Sequence, residues 1–215
     1  MSLPHAVIIA GGRGERLGGV RKADLRIGGR RLVDGVTEAL GSVAAPLLIS
    51  TGPRQDWHGL LDDAVAVSDL DAATGGPLAG LAAAIAALRE RGIVTGLLVS
   101  VAVDTPFLPR DFVTRMRDAL GDGPAAYAAW DDQFYPPNAI WRIEAVADLP
   151  EQVRDGSVAR SLKALQQGLG ARPVDWTGHG AGNPFANVNT VADLIALGRM
   201  ARNGGLSPLI HTPGN

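Results

Sequence analysis

An apolar run that breaks into glycines constrains this chain more than any other feature. Ala6-Val7-Ile8-Ile9-Ala10 leads straight into Gly11-Gly12-Arg13-Gly14-Glu15-Arg16-Leu17-Gly18-Gly19, and Lys22 follows three residues later. Such a run reads as a buried first strand ending in a loop whose backbone passes very close to a neighbour. Glycines let successive amide N–H groups turn toward one anion, and Arg13, Arg16, Arg21 and Lys22 put positive charge around the same loop, so a phosphate is the expected occupant. The spacing is neither a P-loop, which needs Gly-Lys-Ser/Thr opening a helix, nor Gly-x-Gly-x-x-Gly. A glycine turn that merely reverses the chain is the plainer alternative, and the loop alone does not decide between them.

The rest of the chain reads as alternating strands and helices. A strand over residues 5–10 and a loop over 11–24 are followed by a short extended run, Leu25 to Ile27, and a helix over Leu32 to Leu40 ending near Gly41. Pro46 to Thr51 is a second buried strand, which makes a right-handed parallel crossover with the first. Ala64 to Asp69 is a third strand. Thr74 to Gly80 is a second glycine loop feeding an alanine-rich helix over 78–90, with Pro77 at its start and Gly92 beyond its end. Leu97 to Val103 is the most apolar strand and ends in Asp104-Thr105-Pro106.

Beyond it come a helix over Asp111 to Leu120 and two extended runs, 125–130 and 137–141, around Asp131-Asp132, which read as an antiparallel addition. Ser157 is placed to cap a helix over 158–167, Arg172 to Trp176 is a strand, and a last helix starts at Val191. The expected fold is α/β: a three-layer, Rossmann-like, mostly parallel sheet flanked by helices. One domain over residues 1–201 and a flexible tail over 202–215 are expected.

Composition removes several kinds of chemistry. The chain has 215 residues and no cysteine, which excludes disulfides, thiolate catalysis and sulfur-ligated metals, and its four histidines are scattered. A net charge of −2 gives no reason to expect nucleic acid, so an anionic ligand must be met by local charge. No apolar stretch is long enough to span a membrane and no leader pattern opens the chain, so the expected location is cytoplasmic, away from the membrane.

Ligands of open α/β sheets collect at the carboxyl ends of the strands, where this reading puts the glycine loop, Ser50, Asp69 and Asp104. Asp104, directly after the apolar strand, is suited to a hard divalent cation completed by phosphate oxygens and water; capping of the following turn is the alternative. Lys22 and Arg16 are the candidate groups for neutralising phosphate charge. Asn187 and Asn189 share one face of an extended stretch, where they either meet a phosphate or metal ligands or, at Asn189 or Thr190, cap the last helix.

Four blocks in order now carry a family likeness. Ala10-Gly11-Gly12-x-Gly14-x-Arg16-Leu17-Gly18-Gly19 with Lys22, Gly76-Pro77-Leu78-Ala79-Gly80, Asp104-Thr105-Pro106-Phe107-Leu108-Pro109 and Asn187-Val188-Asn189-Thr190 together resemble the sugar-nucleotide-transferase-like nucleotidyltransferases. Most closely they resemble the molybdenum cofactor guanylyltransferase (MobA) family, across nearly the whole chain. The resemblance implies transfer of GMP from GTP to the terminal phosphate of molybdenum-molybdopterin, with release of pyrophosphate and Mg²⁺ as the cation. It implies a GTP site lined by Ile9, Ala10, Gly11, Gly12 and Gly14, with Lys22 on the phosphates, Asp69 on the nucleoside, Pro77 and Gly80 near the guanine, and Mg²⁺ on Asp104. Lys22, Arg16 and Asp104 would be catalytic, while Asn187 and Asn189 would face the phosphate or pterin side.

Arg21 and Ala23 flank the lysine where the family usually has aspartate and glycine, Gly29-Arg30-Arg31-Leu32 replaces its Gly-Lys-Pro-Leu, and Ser50 replaces an asparagine. A relative using CTP or another phosphorylated acceptor, or a nucleotide-binding module without turnover, therefore stays open. The implied partners are GTP, molybdenum-molybdopterin, molybdopterin-delivering proteins and acceptor molybdoenzymes.

Overall fold

The structure, a computed structural model, describes residues 2–11, 18–53, 61, 64–70, 75–180 and 182–202. Strand β1 (His5–Ile9) is an interior strand of a seven-stranded sheet with β4 (Leu47–Ser50), β5 (Ala64–Val67), β6 (Leu97–Ala102), β7 (Ala125–Trp130), β8 (Gln133–Arg142) and β9 (Arg172–Asp175). Their order across the sheet is β5-β4-β1-β6-β8-β7-β9. Every pairing is parallel except the two made by β8, which runs against β6 and β7. The expected antiparallel pair is thus built into the main sheet. A separate small hairpin, β2 (Arg26–Ile27) with β3 (Arg30–Arg31), turns at Gly28-Gly29.

Alternation along β1 explains the layers. Ala6, Ile8 and Ala10 face one core with α1 (Leu32–Leu40), α3 (Phe112–Leu120) and α6 (Val191–Arg202). Val7 and Ile9 face the other, with α2 (Pro77–Glu90), α4 (Leu149–Asp155) and α5 (Leu162–Leu169). A strand buried on both faces has no polar side to show, which is why β1 reads as an apolar run over residues 6–9 and β6 as one broken only by the buried Ser100. Helix α2 is buried from Leu78 to Leu88, and its alanines let it lie close to the sheet. Among the described residues no helix is long and apolar enough to cross a membrane.

Between β8 and β9 the fold departs from the expected pattern. Strand β8 begins at Gln133, ahead of the expected Pro137, and an additional helix, α4, follows it; Pro150 sits in its first turn, where a missing N–H costs nothing. Ser157 caps no helix, because its hydroxyl donates to Asp155 at 2.6 Å and so closes the end of α4. Helix α5 starts later, at Leu162, and its cap is Ser161, whose oxygen accepts the Ala164 N–H at 3.1 Å. The expected tail lies outside the described residues from 203 onward.

Candidate functional site

The strand ends share one register row. Ile9 pairs with both Ser50 and Ala102, and Ser50 pairs with Val67. Gly11, Gly52, Asp69 and Asp104 each stand two residues beyond a member of that row. Backbone bonds carry the row past the sheet: Ala10 N–H to Ser50 O at 2.9 Å, Val103 N–H to Ile9 O at 3.1 Å and Asp69 N–H to Gly52 O at 3.1 Å.

Two glycines of the motifs answer to neighbours inside the protein. A Cβ on Gly11 would lie 2.8 Å from Gly52 N and 2.9 Å from its Cα, so the close approach inferred from the sequence includes the end of β4. A Cβ on Gly80 would lie 2.4 Å from Ser50 Oγ and 3.1 Å from Ser50 Cβ. Ser50 is 1 % exposed and packs beneath α2. Ile9 and Ala10 are buried as well, which leaves their backbone as the part a ligand could meet. Gly12, Gly14 and Arg16 lie outside the described residues.

Lys22 is brought to Asp104 from the far side of the sequence. Its Nζ lies 2.5 Å from Asp104 Oδ2 and 2.8 Å from Asn189 Oδ1. It starts a single 3₁₀ turn, Lys22–Asp24, in which Ala23 is fully buried and Arg21 pairs with Asp24 at 2.9 Å. Arg31 grips Asp34 in the first turn of α1 with bonds of 2.8 and 2.6 Å, and Arg30 meets Glu38. The arginines that depart from the family turn therefore hold α1, Arg31 at its first turn and Arg30 through Glu38 toward its end.

The asparagine block is fixed from below. Val188 and Phe185 are fully buried, while Asn187 and Asn189 are exposed on the opposite face. Phe185 packs among Phe112, Tyr135 and Trp176 with ring centroids 5.2–6.1 Å apart. Val188 N–H donates to Asp104 O at 3.1 Å, so the block is tied to the Asp104 turn. Thr190 caps α6: its Oγ1 accepts the Asp193 N–H at 3.1 Å, and Asp193 accepts from the Asn189 and Thr190 N–H groups. Those bonds, the Asn189 N–H first, hold the Asp193 carboxyl below its usual range. Capping falls to Thr190 and Asp193, and the Asn189 amide is left to Lys22.

Asp69 is different. Its Oδ1 is buried without a hydrogen-bond partner among the described residues, and burial pushes its pKa up. An orphan carboxylate oxygen at a strand end is suited to a ligand that brings N–H or O–H donors.

Sequence reasoning missed a cavity of about 290 Å³ beside these strand ends, lined by Gly75, Pro77, Leu78, Pro136, Pro137 and residues 160–163. Arg160 and Lys163 supply its positive charge, and the N-terminal ends of α2 and α5 open onto it. The adjacent Pro136-Pro137 was the available signal, because such a pair inside a strand marks a break in the ladder.

For a divalent cation the chain offers Asp104 and nearby amide oxygens. Among the described residues no three His, Asp or Glu groups gather into a cage. Hard oxygen donors in that number fit Mg²⁺, which takes one or two carboxylates and leaves its other positions to substrate phosphates and water.

A mostly parallel sheet whose carboxyl edge joins a lysine, a carboxylate and an asparagine fits the class of nucleotide-dependent transferases. The MobA-like NTP transferase domain matches residues 6–169, and the chain belongs to that family. A molybdenum cofactor guanylyltransferase of Acidiphilium cryptum is 37 % identical over 194 residues, covering 89 % of this chain and 92 % of the relative. One from Cereibacter sphaeroides is 34 % identical over 204 residues, covering 91 % and 96 %. The crystal structure of molybdopterin-guanine dinucleotide biosynthesis protein A from Archaeoglobus fulgidus shares the fold with a TM-score of 0.67 and 21 % identity, covering 93 % of this chain and 99 % of that one.

Proposed function

We propose that this protein transfers GMP from GTP to the terminal phosphate of molybdenum-molybdopterin, releasing pyrophosphate. The observation that carries the reading is the meeting of Lys22, Asp104 and Asn189 at 2.5 and 2.8 Å over the carboxyl edge of the sheet, in a chain whose relatives bear the guanylyltransferase name.

A phosphate oxygen of the acceptor attacks the α-phosphorus of GTP, and the bond to the bridging oxygen of pyrophosphate breaks. The attacking group is already an anion at neutral pH, so the site needs no strong base. Its work is to hold mutually repelling anions in line. Lys22 does this as a point charge that exchanges Asp104 for phosphate oxygens when nucleotide enters, while Asn189 keeps its ammonium in place. Bound to Asp104, Mg²⁺ would neutralise phosphate oxygens and the charge on the leaving pyrophosphate. Asp69 accepts from donors of the nucleoside, and guanine, with N1–H and N2–H₂ side by side, offers two to one carboxylate. Arg16, with the glycine loop, adds positive charge around the triphosphate.

The cavity holding Arg160 and Lys163 receives the acceptor, whose phosphate meets the two cations and the helix N-termini. The chain acts as one domain in this reading, in the cytoplasm, with molybdopterin-delivering proteins upstream and acceptor molybdoenzymes downstream.

The test is incubation with GTP or CTP, Mg²⁺ and molybdopterin, following pyrophosphate and identifying the product by mass. Pyrophosphate with GTP and a product heavier by GMP is expected. Release with CTP and none with GTP overturns the guanylyl assignment, and GTP binding without any turnover overturns catalysis.

A further inference from the structure

Strand β8 does something unusual at the end that lies beside the Asp104 turn. Its pairing with β7 jumps from Tyr127↔Ala139 to Ala128↔Tyr135, so Pro136, Pro137 and Asn138 bulge out of the ladder. On its other side the pairing with β6 stops at Ser100↔Ala139, although β6 continues to Ala102. Polar side chains replace the lost ladder. Ser100 Oγ donates to Pro137 O at 2.8 Å and accepts from Trp141 Nε1 at 2.9 Å. Gln166 Nε2, from α5, donates to Pro136 O at 2.9 Å. Asn138, 1 % exposed, accepts the Ala102 N–H on its Oδ1 at 2.9 Å.

That last bond falls two residues before Asp104. The other end of the same residue is also held, since Ala102 O accepts from Thr105 Oγ1 at 2.7 Å. Between these two anchors the chain turns from strand to loop and presents the Asp104 carboxylate to Lys22. A side-chain acceptor inside a bulge is needed here because the ladder has given up its own backbone acceptor to Ser100.

We propose that Asn138 is a positioning residue for the transfer reaction: by holding the Ala102 N–H across the β8 bulge it sets where Asp104 stands against Lys22. The inference rests on the catalytic role proposed for Asp104, and it adds a residue that touches neither substrate nor metal.

Steady-state kinetics and amide exchange on substituted proteins test it. Asn138→Leu keeps the bulk and removes the acceptor, and Asn138→Asp keeps an acceptor oxygen. Expected for Asn138→Leu are a fall in kcat of about 10-fold or more, a KM for GTP within about threefold of wild type, and faster amide exchange at Ala102 by about 10-fold or more. Asn138→Asp is expected to recover protection at Ala102 and most of kcat. In an Asp104→Asn background, Asn138→Leu is expected to cause little further loss, because its effect passes through Asp104.

Wild-type kcat in folded Asn138→Leu, unchanged exchange at Ala102, or the full loss repeated in the Asp104→Asn background would each overturn the proposal. Should Asn138→Leu fail to fold, Asn138→Ala is read in the same way, and the same outcomes decide. Wild-type kcat in Asp104→Asn alone defeats the role given to Asp104, whatever the exchange at Ala102 shows.

Discussion

Lys22 Nζ lies 2.5 Å from Asp104 Oδ2 although 82 positions separate them in the chain, and both side chains are largely buried, at 21 and 14 % exposure. Without nucleotide the two charges satisfy each other; with it, the lysine is wanted by phosphate and the carboxylate by a cation. Replacing Lys22 by Ala should lower kcat by about 10²–10³, the usual loss when one donor to developing charge is removed. Lys22→Arg should recover little, because a flat fork cannot fill the compact place between Asp104 and Asn189. Asp104→Asn should also lose turnover, yet bind metal-free GTP more tightly than wild type, since the competing carboxylate is gone. Pyrophosphate kinetics and calorimetry with EDTA check both halves.

Gly11 and Gly80 both sit in the glycine motifs, and they should respond differently to a methyl group. At Gly11 the clash is with backbone, Gly52 N and Cα at 2.8 and 2.9 Å, which can move only if the end of β4 moves. Gly11→Ala should cost about 1–3 kcal/mol by overpacking, lowering Tm by roughly 2–12 °C for a chain of this size. At Gly80 the nearest atom is Ser50 Oγ, which can rotate, and alanine brings back up to about 1 kcal/mol of helix propensity. Gly80→Ala should therefore be the milder change, with the residual 3.1 Å contact to Ser50 Cβ as its cost. Thermal melts of the two variants side by side decide the ranking.

The two motifs differ in how much of this could be read in advance. An apolar run stopped by glycines specifies a buried strand and a tight turn by itself, so β1, β6 and the Asp104 turn were legible, and α1 spans the expected residues. What Gly11 and Gly80 touch was not, because a glycine tells the reader that space is short and not whose atoms fill it. Of the Lys22–Asp104–Asn189 contact only Lys22, in the loop, and Asp104 read as lying at one sheet edge; Asn189 joins them through the Val188–Asp104 backbone tie, which no local pattern announces. The region from Ser157 to Leu169 misled because two serines stand near the start of one amphipathic segment, and only the Asp155 carboxylate decides which of them is free to cap it. Asn138 carried no signal at all, since its role exists only where β8 bulges.

Asp69 should make nucleotide binding depend on pH. Burial raises its folded pKa, so the folded protein prefers the neutral acid. The sign for stability follows: this contribution is fully present below the unfolded pKa and is lost as pH rises through the raised folded one, which leaves the ionised group destabilising near neutrality. A base that donates two N–H groups reverses that preference by stabilising the carboxylate. GTP affinity should therefore increase as pH rises from the ordinary carboxylate range through the raised pKa, and then level off. Asp69→Asn should abolish this dependence, weaken GTP at pH 7 and raise the Tm of the ligand-free protein there. Titration calorimetry across pH 4–7 with parallel melts checks all three, and a pH-independent affinity in wild type would remove Asp69 from the nucleoside site.

Arg160 and Lys163 should separate the two substrates. They face a cavity lined on its other side by Pro77 and Pro136-Pro137, next to the nucleotide strand ends but away from Lys22. Lys163 also stands 5.2 Å over the ring of Phe134, which is 44 % exposed. Loss of a charge-assisted contact to a phosphate is worth about 1.5–3 kcal/mol, or roughly 10- to 100-fold in affinity. Arg160→Ala and Lys163→Ala should each raise the KM for molybdopterin by that factor while the Kd for GTP, measured without acceptor, stays within about twofold of wild type. Adding salt should weaken acceptor binding in the wild type and much less in the double variant, because the attraction that salt screens has been removed. An equal loss of both substrates would place the cavity on the nucleotide's side of the reaction instead.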